Sequence, residues 1–151
     1  MAFWDNLKEK VDSMNKNLST KVAQFKNNDF ADATMAICAL VAAADGDIDG
    51  TERQKTAAFI MSNETLKIFD ASVLREKFNF FCDKLTQDFD FGKIECIQSI
   101  SKVRKNEGQA RAIIQIGIII GGADGNFDSD EKKIVKEACN AVGISPGEFD
   151  L

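Results

Sequence analysis

The chain has 151 residues, of which 28% are charged and 44% hydrophobic, with a formal net charge of −5. That length suits one domain with a sizeable core, and the apolar content excludes a disordered chain. The acidic balance argues against nonspecific nucleic-acid binding, and the absence of any histidine removes Cys-His zinc sites and His-activated nucleophiles.

Residues 3 to about 26 place Trp4, Leu7, Val11, Met14, Leu18 and Phe25 at alternating spacings of three and four, with Lys21 interrupting. The pattern predicts an amphipathic helix with a narrow apolar seam. Its other face mixes Lys8, Lys10, Lys16 and Lys26 with Asp5, Glu9 and Asp12. Packing against the body of the domain is the preferred reading. Docking of residues 3–25 on a partner helix or a membrane surface is the rival, weakened by the mixed charge, since interfacial helices concentrate Lys and Arg on the polar face. No signal peptide is legible at the start, which points to the cytoplasm.

Asn27-Asn28-Asp29 breaks this helix and starts the next, an Ala-rich buried helix from Asp29 to Ala44 with Met35, Ile37, Leu40 and Val41. An acidic loop follows, then a helix from Gly50 to about Ser62 and a short helical turn in Asn63–Phe69. Asp70 is the expected cap of a helix running to about Gln87, with Val73, Leu74, Phe78, Phe81 and Leu85 on its apolar side. The cluster Phe78, Phe80, Phe81, Phe89 and Phe91 reads as core, because no basic patch accompanies it. A helix from Phe89 to about Lys105 carries Ile94, Ile97, Ile100 and Val103, and Asn106-Glu107-Gly108 turns the chain again. Ile113–Ile120 alone would suggest a strand, but alignment with the Ala-rich helix makes it a helix. It is too short to span a bilayer, which takes about 20 apolar residues. A last long helix, Ser129 to Val142, ends at Gly143. Ser145-Pro146-Gly147-Glu148 then opens a closing turn with cap, proline and glutamate in register.

That alignment comes from a repeat. Ala44-Asp45-Gly46-Asp47-Ile48-Asp49-Gly50-Thr51-Glu52 recurs as Ala123-Asp124-Gly125-Asn126-Phe127-Asp128-Ser129-Asp130-Glu131, an offset of 124 − 45 = 79 without a gap. The period is too long for a solenoid unit and instead predicts two related halves about a pseudo-twofold axis. Cys38 and Ala42 align with Gly117 and Gly121, small residues four apart. The two buried helices are therefore expected to cross closely, with these positions facing.

The loops resemble the start of a calcium loop, with Asp45, Asp47, Asp49 and Gly50 at its positions 1, 3, 5 and 6. Position 12, which needs a bidentate Glu, falls on Thr56 and Val135, so these are not EF-hands. Capping explains more: Asp49 and Asp128 as N-caps, Glu52 and Glu131 closing capping boxes, Ile48 and Phe127 placed for hydrophobic staples. Asp45, Asp47, Asp124 and Asp130 remain, and oxygen-rich loops of this kind suit a hard divalent cation, Ca²⁺ or Mg²⁺. The candidate metal residues are thus Asp45, Asp47, Asp49, Glu52, Asp124, Asp128, Asp130 and Glu131. Asn126 stands opposite Asp47, so the second loop has one carboxylate fewer. The four cysteines, Cys38, Cys82, Cys96 and Cys139, form no C-x-x-C pair. Cys38 and Cys139 lie in apolar helical settings that suit buried free thiols.

Taken together, the Phe25-Lys26-Asn27 region, Ala44-Asp45-Gly46, Leu66-Lys67-Ile68-Phe69-Asp70, Phe89-Asp90-Phe91, Ala123 to Asp128 and Gly143-Ile144-Ser145-Pro146-Gly147-Glu148-Phe149 resemble the tellurite-resistance TerB family over nearly the whole chain. The resemblance implies a helical protein of two similar halves, cytoplasmic or peripheral at the inner face of the membrane. It also implies partnership with other Ter proteins, including the integral membrane TerC, in tellurite and stress resistance, and acidic clusters that bind metal.

The expectation is an all-α single domain, 1–151, of about seven to eight helices. Residues 1–26 form the N-terminal helix, 29–70 the first half, 71–105 the connecting helices and 106–151 the second half. The expected function is a non-enzymatic interaction module with an acidic, weakly cation-binding face, no nucleic-acid partner and no transmembrane segment. The alternative is a cation sensor or buffer. With no catalytic residues and no cofactor beyond a divalent cation, an enzyme would have to rely on carboxylates alone.

Overall fold

A computed structural model describes residues 26–46, 48, 50–122 and 127–151. The expected N-terminal helix lies outside these residues, as do Asp47, Asp49 and Asp124. Among the described residues stand six α-helices and no strand: α1 (Asn28–Ala42), α2 (Gly50–Ser62), α3 (Ala71–Gln87), α4 (Phe89–Ser101), α5 (Glu107–Gly121) and α6 (Ser129–Val142). Two 3-10 turns, Glu64–Leu66 and Pro146–Phe149, follow α2 and α6.

Each start has a local cause. Phe30 N–H donates to Asn27 Oδ1 at 2.8 Å and Gln109 N–H to Asn106 Oδ1 at 3.0 Å, so α1 and α5 open with the same cap. Asp70 caps α3 through the N–H and hydroxyl of Ser72, which hold its carboxyl below the usual carboxylate range. Asp88 caps α4 by accepting from Phe91 N–H at 3.1 Å. The 79-residue step holds in the structure as well: 27 + 79 = 106 for the caps, 28 + 79 = 107 and 42 + 79 = 121 for the bounds of α1 and α5, and 50 + 79 = 129 for the starts of α2 and α6.

Packing follows hydrophobic pattern. Helices α1 and α5 are apolar on nearly every side and buried almost throughout, and Ile113–Ile120 is helix as aligned. Helix α1 is central, packing on α3, α4, α5 and α6. Gly117 does sit at a close helix approach, but a Cβ there would meet Ile37 Cδ1 at 2.7 Å rather than Cys38. Gly121 is closed off chiefly by Phe127, at 2.5 Å from an added Cβ, rather than by Ala42. The staple is corrected with it: the position that would complete it within α6 is Lys132, so buried Phe127 packs back on α5 instead.

Ion pairs tie the layers. Asp32 of α1 takes Lys77 of α3 at 2.6 Å and Lys102, just past α4, at 3.2 Å. Arg53 of α2 meets Asp83 of α3 at 2.8 Å, and Lys93 of α4 meets Glu137 of α6 at 2.7 Å. Arg111 holds the last turn to α5, reaching Glu148 at 3.0 Å and lying 5.2 Å from the Phe149 ring.

Three expectations change. Helix α4 stops at Ser101 and finishes as turns through Lys105. Ser145 precedes the last turn without a side-chain capping bond. Val73, Phe80, Phe91 and Ile94 are exposed, so only part of the aromatic cluster is core, namely Phe78 and Phe81 with Phe89 half-buried. Their spacing was apolar, but they fall on the sides of α3 and α4 opposite Leu74, Phe78, Cys96 and Ile100. All four cysteines are free and buried, and burial pushes the Cys82 and Cys96 thiols up to about 12 and Cys139 to about 11.

Candidate functional site

The two acidic corners sit where α1 and α5 end. Because α1 and α5 pack together and each passes through its corner into α2 or α6, residues 79 apart in sequence converge on one cleft. It encloses about 330 Å³. Its floor is apolar, made by Val41, Ala42, Ala44, Phe59, Ile120 and Gly121, and its rim carries Asp45, Glu52, Asp128 and Glu131. The C-terminal ends of α1 and α5 add partial negative charge to that rim, while the N-terminal ends of α2 and α6 offset it.

The two rim carboxylates of the second corner have a local role. Asp128 and Glu131 form a complete capping box: Glu131 N–H donates to Asp128 Oδ1 at 2.8 Å, and Asp128 N–H donates to Glu131 Oε1 at 3.2 Å. Capping thus accounts for both carboxylates that the second corner gives to the rim. In the first corner, Gly46 takes φ +94°, a backbone region that glycine reaches without strain. Asp45 there is exposed and Glu52 half-buried in the first turn of α2. Asp130 is exposed and does not line the cleft. Asp47, Asp49 and Asp124 lie outside the described residues.

Four of the eight candidates therefore meet around one opening: Asp45, Glu52, Asp128 and Glu131. Among the described residues, no three of Asp, Glu, Cys or His converge closely enough to hold a metal ion. The described carboxylates line the cleft without forming a ligand sphere. The sequence reading missed Lys55, Thr56 and Phe59, which also line the cleft. A signal was available: at the 79-residue step they stand opposite Ile134, Val135 and Ala138, which are core in α6. Polar residues at two such positions turn that side of α2 toward the opening, and Lys55 places one cation among the carboxylates.

The family model described as Tellurite resistance protein TerB matches residues 31–151. The chain belongs to the TerB family. A curated relative from Alcaligenes sp, Tellurium resistance protein TerB, is 31% identical over 118 residues, covering 78% of this chain and 97% of the relative. No solved structure matches. The TerB match spans both corners and the cleft between them, and it is named for resistance rather than for a catalysed reaction. Among the described residues, no helix is long and apolar enough to cross a membrane.

Proposed function

We propose that this TerB-family chain is a non-enzymatic interaction module of the tellurite-resistance system, whose acidic cleft meets partner proteins and holds a divalent cation weakly. The observation that carries this reading is the convergence of Asp45 and Glu52 with Asp128 and Glu131 on a single opening with an apolar floor. A rim of carboxylates favours cationic groups, and an apolar floor rewards a partner that buries surface there. The partners are other Ter proteins, including a membrane-bound TerC-like protein, met at the inner face of the membrane. Ca²⁺ or Mg²⁺ would draw on Asp45, Asp47 and Asp49 together with Asp124, Asp128, Asp130, Glu52 and Glu131.

Affinity capture from cells, with and without divalent cation, tests it. The wild-type chain should retain a Ter partner that the Asp45→Asn/Glu52→Gln variant loses, and equal retention by both contradicts the reading. The three-aspartate run Asp45-x-Asp47-x-Asp49-Gly50 favours the rival, a cation sensor or buffer. Titration calorimetry separates the two: Ca²⁺ affinity tighter than ~10 μM with a large conformational response belongs to the sensor.

A further inference from the structure

Helices α3 and α4 form a hairpin with a single residue, Asp88, between them. An added Cβ at Gly92 would lie 2.7 Å from Lys84 O, so the two run antiparallel in close contact. At that register Ile94 comes level with the turn of α3 between Phe80 and Lys84. Helix α1 packs on both helices, and their sides turned away from it form one outer face. The large hydrophobics exposed among the described residues all lie on this hairpin: Val73 at 39%, Phe80 at 52%, Phe91 at 70% and Ile94 at 53%. Scattered apolar residues on a surface need no explanation, but two phenylalanines and an isoleucine grouped on one face mark an interaction surface. Phe80 is also held in place, edge-on to Phe81 at 5.3 Å and with Lys84 Nζ 5.5 Å from its ring, so a partner has little ordering to impose on it.

We infer that this face is an interface between two copies of this chain, laid antiparallel about a twofold axis. The charge pattern of the hairpin singles out a second copy. Its open end, residues 71–77 and 98–105, carries five cations and one anion, whereas the bend, residues 83–90, carries three anions and one cation. Pairs made inside one molecule, Lys77 and Lys102 on Asp32 and Asp83 on Arg53, leave both signs unchanged. A uniformly acidic or uniformly basic partner would be repelled at one end. An antiparallel copy sets each open end against the other's bend, with opposite charges at both contacts, and encloses Phe80, Phe91 and Ile94 at the centre. With 17 and 13 residues, the two helices outline a face of roughly 25 by 20 Å, or about 1,000 Å² over both copies. That is the lower bound of a specific interface, so association should depend on concentration.

Sedimentation equilibrium of the full-length chain, from micromolar to millimolar protein, tests this. The mass should rise from monomer toward dimer across that range. Phe80→Asp/Ile94→Asp should hold the chain monomeric with an unchanged circular-dichroism spectrum, because both side chains are more than half exposed. Lys105→Glu and Asp90→Lys, at opposite ends of the hairpin, should each weaken self-association several-fold. An equimolar mixture of these two variants should recover it, since only the mixed pair brings opposite charges together at both contacts. If the aspartate pair disturbs folding, the charge-swapped mixture decides alone. A wild type that stays monomeric throughout, a dimer untouched in a folded Phe80→Asp/Ile94→Asp chain, or a mixture that associates no better than either variant overturns the inference.

Discussion

Replacing Gly121 by alanine tests the joint between α5 and the second acidic corner. An added Cβ would lie 2.5 and 2.6 Å from two ring carbons of Phe127 and 3.2 Å from Glu131 Oε2. An aromatic ring 2% exposed cannot swing clear as a flexible chain end could, so the corner itself must shift. Overpacking of this kind costs about 1–3 kcal/mol. The usual Gly-to-Ala helix gain of about 0.5–1 kcal/mol applies within a helix, and Gly121 is the last residue of α5, so little of it is returned. For a chain of this size that is a fall in Tm of roughly 2–12 °C, read by circular dichroism. Phe127→Leu should relieve the clash, so the double variant should be more stable than the two single effects predict, by ~0.5 kcal/mol or more. An unchanged or raised Tm in Gly121→Ala, or strict additivity in the double variant, would refute the packing argument. Gly117→Ala should cost less, since its nearest neighbour is the terminal methyl of Ile37, while Gly117→Leu should cost at least ~1–3 kcal/mol.

Three further outcomes are expected. Asp128→Ala should lose ~0.5–2 kcal/mol with or without metal, whereas Asp128→Asn, an equally good cap, should lose little; denaturant melts of the pair separate capping from charge. Asp45→Asn should be neutral or slightly stabilising without cation, because it relieves like-charge repulsion at the rim, and a clear destabilisation would contradict that placement. The buried thiols should resist a thiol reagent at neutral pH until the chain unfolds. Their raised pKa values also set a sign: stability is fully present below the unfolded thiol value of about 8.5 and is lost as pH rises toward 11 and 12, because only the unfolded state releases those protons. Urea midpoints that stay flat between neutral pH and pH 11 would contradict this.

The helices were legible because their signals are local. Asp70 and Asp128 cap helices as expected, while Asn27 and Asn106, in segments expected only to turn the chain, also prove to be caps. The repeat carried the rest: Ile113–Ile120 has strand-like composition, and only its alignment with the Ala-rich helix marked it as α5. What the sequence hid is which way a helix is turned. Phe80 and Phe91 are as apolar as Phe78 and Phe81, yet rotation of α3 and α4 leaves them in water. The cleft was half visible, since its carboxylates lie in the repeated corners. Lys55 and Phe59 enter it only because α2 is rolled differently from α6, a property of packing between distant segments.

The central claim is that the two corners act as one cation-favouring face, and a titration of backbone amide resonances with millimolar Ca²⁺ and Mg²⁺ tests it most directly. The account predicts saturable shifts in both corners, with a Kd between tens of micromolar and millimolar. The shifts should be larger around Asp45 than around Asn126 and abolished in the first corner by Asp45→Asn, with any cation-induced rise in Tm lost alongside them. If neither cation moves a corner amide or the melting temperature, the corners are capped turns bearing negative charge, and the cation-binding part of the account fails.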